Sequence, residues 1–246
     1  MYSVVLLRHG VSTWNGENRF TGWTDVGLTE EGIAEARAAG KLMAAEEISF
    51  DVVHTSIMRR AVETTFHVLD EMDLLRVRVV KNWRLNERHY GALQGLNKKE
   101  TASEHGSEQV YLWRRSYDVR PPALDLDDER HPRFDPVYQG LPPEVLPSTE
   151  SLEDVYDRVV PWWQDHVIPD LQAGHTVLIS AHGNSLRALV KHFDQIPDEE
   201  IATFNIPTGI PLLYELDAGF QPVSSRYLGD TEAAAAAAEE VARQAG

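Results

Sequence analysis

The stretch Val4-Val5-Leu6-Leu7-Arg8-His9-Gly10 decides the fold. Four apolar residues in a row, without polar alternation, describe a strand buried on both faces, as in a parallel sheet covered by helices. The run ends on an arginine, a histidine and a glycine. In an open α/β sheet the carboxyl ends of the strands are where ligands bind. A histidine with its ordinary pKa of about 6.5 is mostly neutral at pH 7, and a neighbouring guanidinium favours that neutral, nucleophilic form. The guanidinium also offers a phosphate a planar fork of donors. Arg8 and His9 are therefore suited to taking up a phosphoryl group on nitrogen, although the tripeptide alone carries little weight.

A second segment repeats the design. His175-Thr176-Val177-Leu178-Ile179-Ser180-Ala181 reads as a strand, followed by His182-Gly183-Asn184-Ser185 and a helix over Leu186–Phe193. Backbone N–H groups at a helix N-terminus bind anions. If the two strands are neighbours, His9 and His182 face one phosphoryl group from two sides. Further strands are expected at Asp51–Thr55, Arg76–Val80 and Pro211–Leu216. Helices are expected from a Thr29 cap to Ala45, from Ser56 through Met72, from near Glu108 to Arg115, and from Ser148 or Ser151 through Ile168. Pro161 should kink or divide the last of these. Strands alternating with helices make this an α/β chain.

The chain has 246 residues, enough for one compact domain with a full core. It has no cysteine, which excludes disulfides and thiolate chemistry. No apolar run approaches a membrane span and no secretory signal is visible, so a cytoplasmic protein is the simplest reading. The net charge of −16 argues against nucleic acid or an anionic membrane as a partner. If the substrate is a phosphate ester, basic residues must be gathered in one cleft.

Several segments could supply that cleft. Ser12, Asn15, Thr21 and the Gly22 backbone lie in a polar, glycine-containing stretch that reads either as a surface loop or as a phosphate-binding one. Arg59 and Arg60 fall in the first turn of a helix, where basic residues are unfavourable unless an anion is near. Asn86 to Lys98 has no clean period and mixes charged, aromatic and glycine residues, as site loops do; Glu87 is its candidate acid/base. Arg114-Arg115 would form a second anion clamp. Val119–Pro147 is proline-rich and long for a connection, either a lid-like insertion or a mobile loop. Thr231–Gly246 is an alanine-rich tail after a catalytic domain expected over 1–230.

Together, Leu7-Arg8-His9-Gly10, Arg59-Arg60-Ala61, the segment Asn86–Lys98, Trp113-Arg114-Arg115 and Ala181-His182-Gly183-Asn184-Ser185 resemble the cofactor-dependent phosphoglycerate mutases of the histidine phosphatase superfamily. The resemblance runs from about Val4 to Leu228. It implies a single-domain, three-layer sandwich with a mostly parallel sheet. It also implies interconversion of 3- and 2-phosphoglycerate, a step of glycolysis and gluconeogenesis, primed by 2,3-bisphosphoglycerate and without metal. Carried over by position, His9 becomes phosphohistidine, Arg8, Arg60 and His182 surround the phosphoryl group, and Glu87 shuttles the proton. Asn15, Thr21, Gly22, Arg88, Tyr90, Lys98, Arg114, Arg115, Gly183 and Asn184 hold the substrate, and Val119–Pro147 would exclude water. The family's members are commonly dimers or tetramers. Val11 departs from the pattern, standing where the family usually has glutamate. Two further readings remain open: a phosphatase of the same superfamily acting on a small phosphate ester, and a catalytically silent binder.

Overall fold

The computed structural model describes residues 1–230, 232 and 236–239. In chain order its main elements are β1 (Tyr2–Arg8), α1 (Thr13–Gly16), α2 (Glu30–Ala45), β2 (Val52–Thr55), α3 (Arg59–Glu71), β3 (Arg78–Lys81), α4 (Lys98–His105), α5 (Ser107–Arg115), α6 (Leu152–Trp162), α7 (Ile168–Gln172), β4 (Val177–Ala181), α8 (Gly183–Asp194), β5 (Leu212–Leu216) and β6 (Pro222–Tyr227). The strands form one sheet in the order β3-β2-β4-β1-β5-β6. The first four of that order are mutually parallel; β5 and β6 are antiparallel additions at one side. Among the described residues, no helix is long and apolar enough to cross a membrane.

The unbroken apolar run of β1 is explained by what covers it. Val4 and Leu6 enter a core shared with Leu152, Val155, Val159 and Trp162 of α6 and Leu186, Leu189 and Phe193 of α8. Val5 and Leu7 enter a second core with Ala36, Ala39 and Met43 of α2 and Val68 and Leu69 of α3. Successive strand residues point to opposite faces, so only a helix layer on each side can bury all four. The result is the expected three-layer α/β sandwich.

Local chemistry sets the helix ends. Thr29 Oγ1 accepts from Gly32 N–H at 3.0 Å, and Glu30 and Glu31 sit in the first turn of α2. Ser151, not Ser148, caps α6, in a reciprocal arrangement with Asp154. α8 begins at Gly183, earlier than the expected Leu186, because its first N–H groups find partners: His182 N–H donates to Ser185 Oγ and Asn184 N–H to Glu87 Oε1. Pro161 does not end its helix. The chain widens into one broader turn at Trp163–Val167 and continues as α7. The edge strand β6 was not expected, since Ser224, Ser225 and Arg226 are exposed and show no apolar alternation.

Val119–Pro147 is an ordered insertion stiffened by single turns at Pro132–Phe134, Pro136–Tyr138 and Pro143–Val145. It packs through Tyr138, whose ring lies 4.9 Å from that of Trp23 and whose hydroxyl accepts from Asn86 Nδ2 at 3.0 Å. The expectation for the 231–246 tail falls largely outside the described residues.

The loop after β1 lies against the start of α2 with no room for side chains. A Cβ on Gly10 would stand 2.2 Å from the Gly32 carbonyl oxygen, and one on Gly32 would stand 2.2 Å from that of Val11. Gly32→Ala must therefore push the His9 loop off the helix. We expect it to lower stability by about 1–3 kcal/mol, read from the urea midpoint; an unchanged midpoint would contradict the close approach.

Candidate functional site

Because β1 and β4 are parallel neighbours with Arg8 opposite Ala181, the next residues of the two strands, His9 and His182, emerge side by side. His9 N–H donates to Ala181 O at 3.0 Å, and the two imidazole centroids are 5.0 Å apart at 64°. His9 Nδ1 lies 2.7 Å from its neighbour Gly10's carbonyl oxygen. A carbonyl can only accept, so Nδ1 carries the ring proton and the Nε2 lone pair is available as a nucleophile. Burial, then the charges of Arg60 and Arg8, hold the His9 pKa well below its ordinary value. His182 is lowered in the same way, by burial first and Arg60 next. Its Nε2 is 2.7 Å from Ser56 Oγ. Its buried Nδ1 has no hydrogen-bond partner among the described residues.

The arginines near His9 are anchored on main chain. Arg8 Nη1 donates to Ile206 O at 2.8 Å. Arg60 donates to Gly22 O at 2.8 Å and Thr24 O at 3.0 Å, which binds α3 to the loop carrying Thr21 and Gly22. Gly22 has φ +54, and a Cβ there would meet Gln94 Oε1 at 2.1 Å. Arg60 and Arg59 are adjacent in sequence but differ in fate: Arg59 is exposed and paired with Glu63, while Arg60 is buried, with its pKa brought down to about 10 by burial. Val11, the departure from the resemblance, is tied to α2 through its main chain. Its N–H donates to Glu35 Oε2 at 2.8 Å, so a carboxylate from α2 serves the loop.

Glu87 is the acidic side chain of the cleft. Its Oε1 accepts from Arg88 N–H at 2.7 Å, Asn184 Nδ2 at 2.8 Å and Asn184 N–H at 3.1 Å. Oε2 faces Gly183, where a Cβ would lie 3.7 Å from it and 3.5 Å from the Arg8 guanidinium carbon. One carboxylate oxygen is thus fixed by three donors while the other lies beside Arg8.

Arg8, His9, Arg60, Glu87, Gly183 and Asn184 line a cleft together with Asn15, Arg19, Phe20, Thr21, Gly22, Tyr90, Lys98, Arg114, Arg115, Arg187, Asn205 and Ile206. Lys98, Arg114, Arg115 and Arg187 form a second cationic set. Burial, then Arg114 and Arg8, brings Lys98 down to about 7. Burial, then Arg114 and Arg187, brings Arg115 down to about 9. Tyr90 is lowered as well: burial raises it, but Arg88 and Arg114 outweigh that. The Thr21 hydroxyl is buried with no partner among the described residues, a group that a ligand oxygen would satisfy. In a chain of net charge −16, this concentration of cations around one carboxylate suits a compact polyanion. Among the described residues, no group of three or more His, Asp or Glu side chains is placed to hold a metal ion.

Most of the residues singled out from the sequence meet in this cleft. Two do not line it. Ser12 caps α1: its hydroxyl accepts from Asn15 N–H and donates to Asn15 Oδ1 at 2.8 Å, so it orients Asn15 instead of meeting a phosphate. Arg88 is fully buried behind Tyr90, 4.7 Å from the ring centroid, and donates to Arg114 O and Tyr90 Oη. No residue of Val119–Pro147 lines the cleft; the insertion braces the Glu87 segment from behind, where Ala92 N–H donates to Pro122 O at 2.8 Å. Arg187, Asn205 and Ile206 were not anticipated. Arg187 sits one turn after Asn184 in α8, a spacing that could have flagged it; the loop 204–206 carries no sequence signal.

The model of the histidine phosphatase superfamily (branch 1) matches residues 4–137 and 124–223. Among solved structures, the chain is similar to a mycobacterial glucosyl-3-phosphoglycerate phosphatase complexed with VO3, at 21% identity over 92% of this chain and 97% of that one, with a TM-score of 0.70. It is similar to a putative alpha-ribazole-5'-P phosphatase from Escherichia coli, at 20% identity over 94% and 97%, TM-score 0.65. It is also similar to Bacillus stearothermophilus YhfR, at 26% identity over 90% and 94%, TM-score 0.66.

Two pH effects follow. Lys98 must be protonated to hold an anion well, and in the free cleft it is half neutral near pH 7. Sulfate, whose own charge is constant, should bind with proton uptake and weaken as pH rises through about 7; calorimetry should show this dependence lost in Lys98→Met. His9, His182 and His89 are all lowered, His89 to about 3 by burial. The unfolded chain therefore binds more protons than the folded one below about pH 6.5, and stability should decline as pH falls through that value, by up to about 1.4 kcal/mol per pH unit for each histidine. Urea midpoints from pH 7.5 to 5.5 test this, and a flat profile would contradict it.

Proposed function

The chain belongs to the histidine phosphatase superfamily, branch 1, and from that premise we propose that it moves the phosphoryl group of a small, doubly anionic phosphate ester through a phosphorylated His9. The observation that carries this reading is the free Nε2 of His9 in a cleft with two sets of cations and a single carboxylate, Glu87. Nε2 attacks phosphorus as the ester P–O bond breaks. Glu87 gives its proton to the departing oxygen. Arg8, Arg60 and His182 offset the charge spread over the non-bridging oxygens, which is the main demand of phosphoryl transfer. Lys98, Arg114 and Arg115 hold the substrate's second anionic group.

The acceptor in the second step separates two readings. With water, Glu87 takes a proton as the oxygen attacks, the P–N bond breaks, and His9 returns with inorganic phosphate released. The similarity to the glucosyl-3-phosphoglycerate phosphatase and to the putative alpha-ribazole-5'-P phosphatase supports this hydrolytic completion. With a carbon-bound hydroxyl as acceptor, the same step forms a new phosphate ester and the enzyme is a mutase. That second reading is favoured by the Asn86–Lys98 segment and by Arg114 and Arg115, which contribute Glu87, Tyr90, Lys98 and both arginines to the cleft. They would retain a bisphosphorylated three-carbon acid while it turns. In that case 2,3-bisphosphoglycerate would prime His9.

Phosphorus NMR of the protein with 3-phosphoglycerate, with and without a trace of 2,3-bisphosphoglycerate, tests both. Inorganic phosphate without primer supports hydrolysis; 2-phosphoglycerate that depends on primer supports the mutase. No turnover and no acid-labile phosphohistidine with either donor would overturn the proposal. His9→Ala should abolish labelling. Glu87→Gln should slow transfer from an alkyl phosphate on the order of 100-fold or more while leaving sulfate affinity largely intact.

A further inference from the structure

Glu87 can act only if its carboxyl is aimed; Asn184 and the Arg88 N–H fix one carboxylate oxygen, and the main chain that carries the side chain is held from outside the cleft. Arg158 lies on α6, almost fully buried, with its guanidinium against the back of the Glu87 segment. It forms a two-pronged pair with Glu150, Nε to Oε1 at 2.7 Å and Nη2 to Oε2 at 2.9 Å. The same guanidinium donates to the carbonyl oxygens of Arg84, of Asn86 at 3.1 Å and of Glu87 at 3.0 Å. Trp23 adds a second donor to the Glu87 carbonyl, Nε1 at 2.6 Å, and the Arg158 guanidinium carbon lies 5.9 Å from its ring centroid. Glu150 closes the frame: its N–H donates to His89 O at 2.9 Å, and its Oε2 accepts from His89 N–H at 2.8 Å.

We propose that Arg158, braced by Glu150 and assisted by Trp23, is a positioning residue that sets the direction of the Glu87 carboxyl through the main chain of residues 84–87. The inference rests on the reading of Glu87 as the acid/base. A guanidinium suits the task because its rigid planar fork can meet one carboxylate and several carbonyls at once, which a lysine cannot. The anchored atom is the Glu87 carbonyl. A shift there swings the side chain relative to the phosphoryl site without removing a group that binds the anion.

The test compares two phosphoryl donors in single-turnover labelling of His9. An alkyl phosphate such as 3-phosphoglycerate needs a proton on its leaving oxygen; p-nitrophenyl phosphate releases a stable anion and needs little help. Arg158→Met should slow labelling by the alkyl donor on the order of 10- to 100-fold and by the aryl donor less than about threefold, with sulfate affinity little changed. Arg158→Lys should recover only part of the loss. Trp23→Phe, which removes one donor at smaller risk to folding, should show the same bias in milder form. Equal slowing with both donors, or none, in Trp23→Phe and in folded Arg158→Met would overturn the inference. Glu87→Gln is the control. If it lacks the donor bias, the acid/base reading of Glu87 fails; if it shows the bias and the Arg158 variants do not, positioning by Arg158 fails alone.

Discussion

Buried guanidinium groups held by carbonyl oxygens, with few carboxylates to offset them, are the constraint on which the rest of this molecule depends. Arg8 is anchored on Ile206 O, Arg60 on Gly22 O and Thr24 O, Arg88 on Arg114 O, and Arg187 on Arg115 O and Ile201 O. A carbonyl satisfies the donor and leaves the charge in place; a carboxylate would cancel it. Burying charges is costly, and the pKa values of Arg60, Lys98, Arg115 and Arg187, depressed first by burial and then by neighbouring cations, register that cost. A multiply charged anion offsets it on binding. The same anchors tie loops to helices, so the cleft's walls and its charge are built by one set of bonds.

The sheet brings a pair of imidazoles to this charge. β4 is placed between β1 and β2, so the two strands that end in His-Gly become parallel neighbours although 173 residues separate His9 from His182. Strand register then fixes the imidazoles 5.0 Å apart, with no need for a flexible loop to close the distance. The Gly10 carbonyl selects the tautomer, and burial, then the surrounding arginines, keeps the ring neutral. Geometry and electrostatics therefore favour the same reactive atom, Nε2.

The carboxyl of the cleft is held differently. Glu87 comes from a segment with no regular structure of its own, and its placement is assembled from outside: Asn184 from α8 on the carboxylate, Trp23 and Arg158 on the carbonyl, and the Pro-rich insertion behind. Arg187 continues the chain by donating to Asn184 Oδ1 at 2.9 Å, which turns the Asn184 amide nitrogen toward Glu87. The long insertion, which reads in the sequence as a lid or a mobile loop, packs behind the Glu87 segment in this structure.

The two apolar runs are enough to dictate the sandwich and to put a histidine at the end of each of two strands. Val4–Leu7 and Val177–Ala181 are apolar on both faces, which only a sheet covered on both sides can accommodate, and each run is followed by a reactive residue type. Patterns of this kind are local and survive in one dimension. The roles of Ser12 and Arg88 were decided by tertiary structure, because a hydroxyl that caps its own helix and a guanidinium that backs a tyrosine have the same one-letter code as ligand-binding ones. Tertiary structure likewise separated Arg60 from Arg59, since a helix turn of about 100° per residue sends one side chain inward and its neighbour to solvent. It alone brought Arg158 and Glu150 to the back of Glu87, across 71 residues from Glu87 to Arg158. Such long-range hydrogen bonds depend on how layers pack, and no periodicity in the chain announces them.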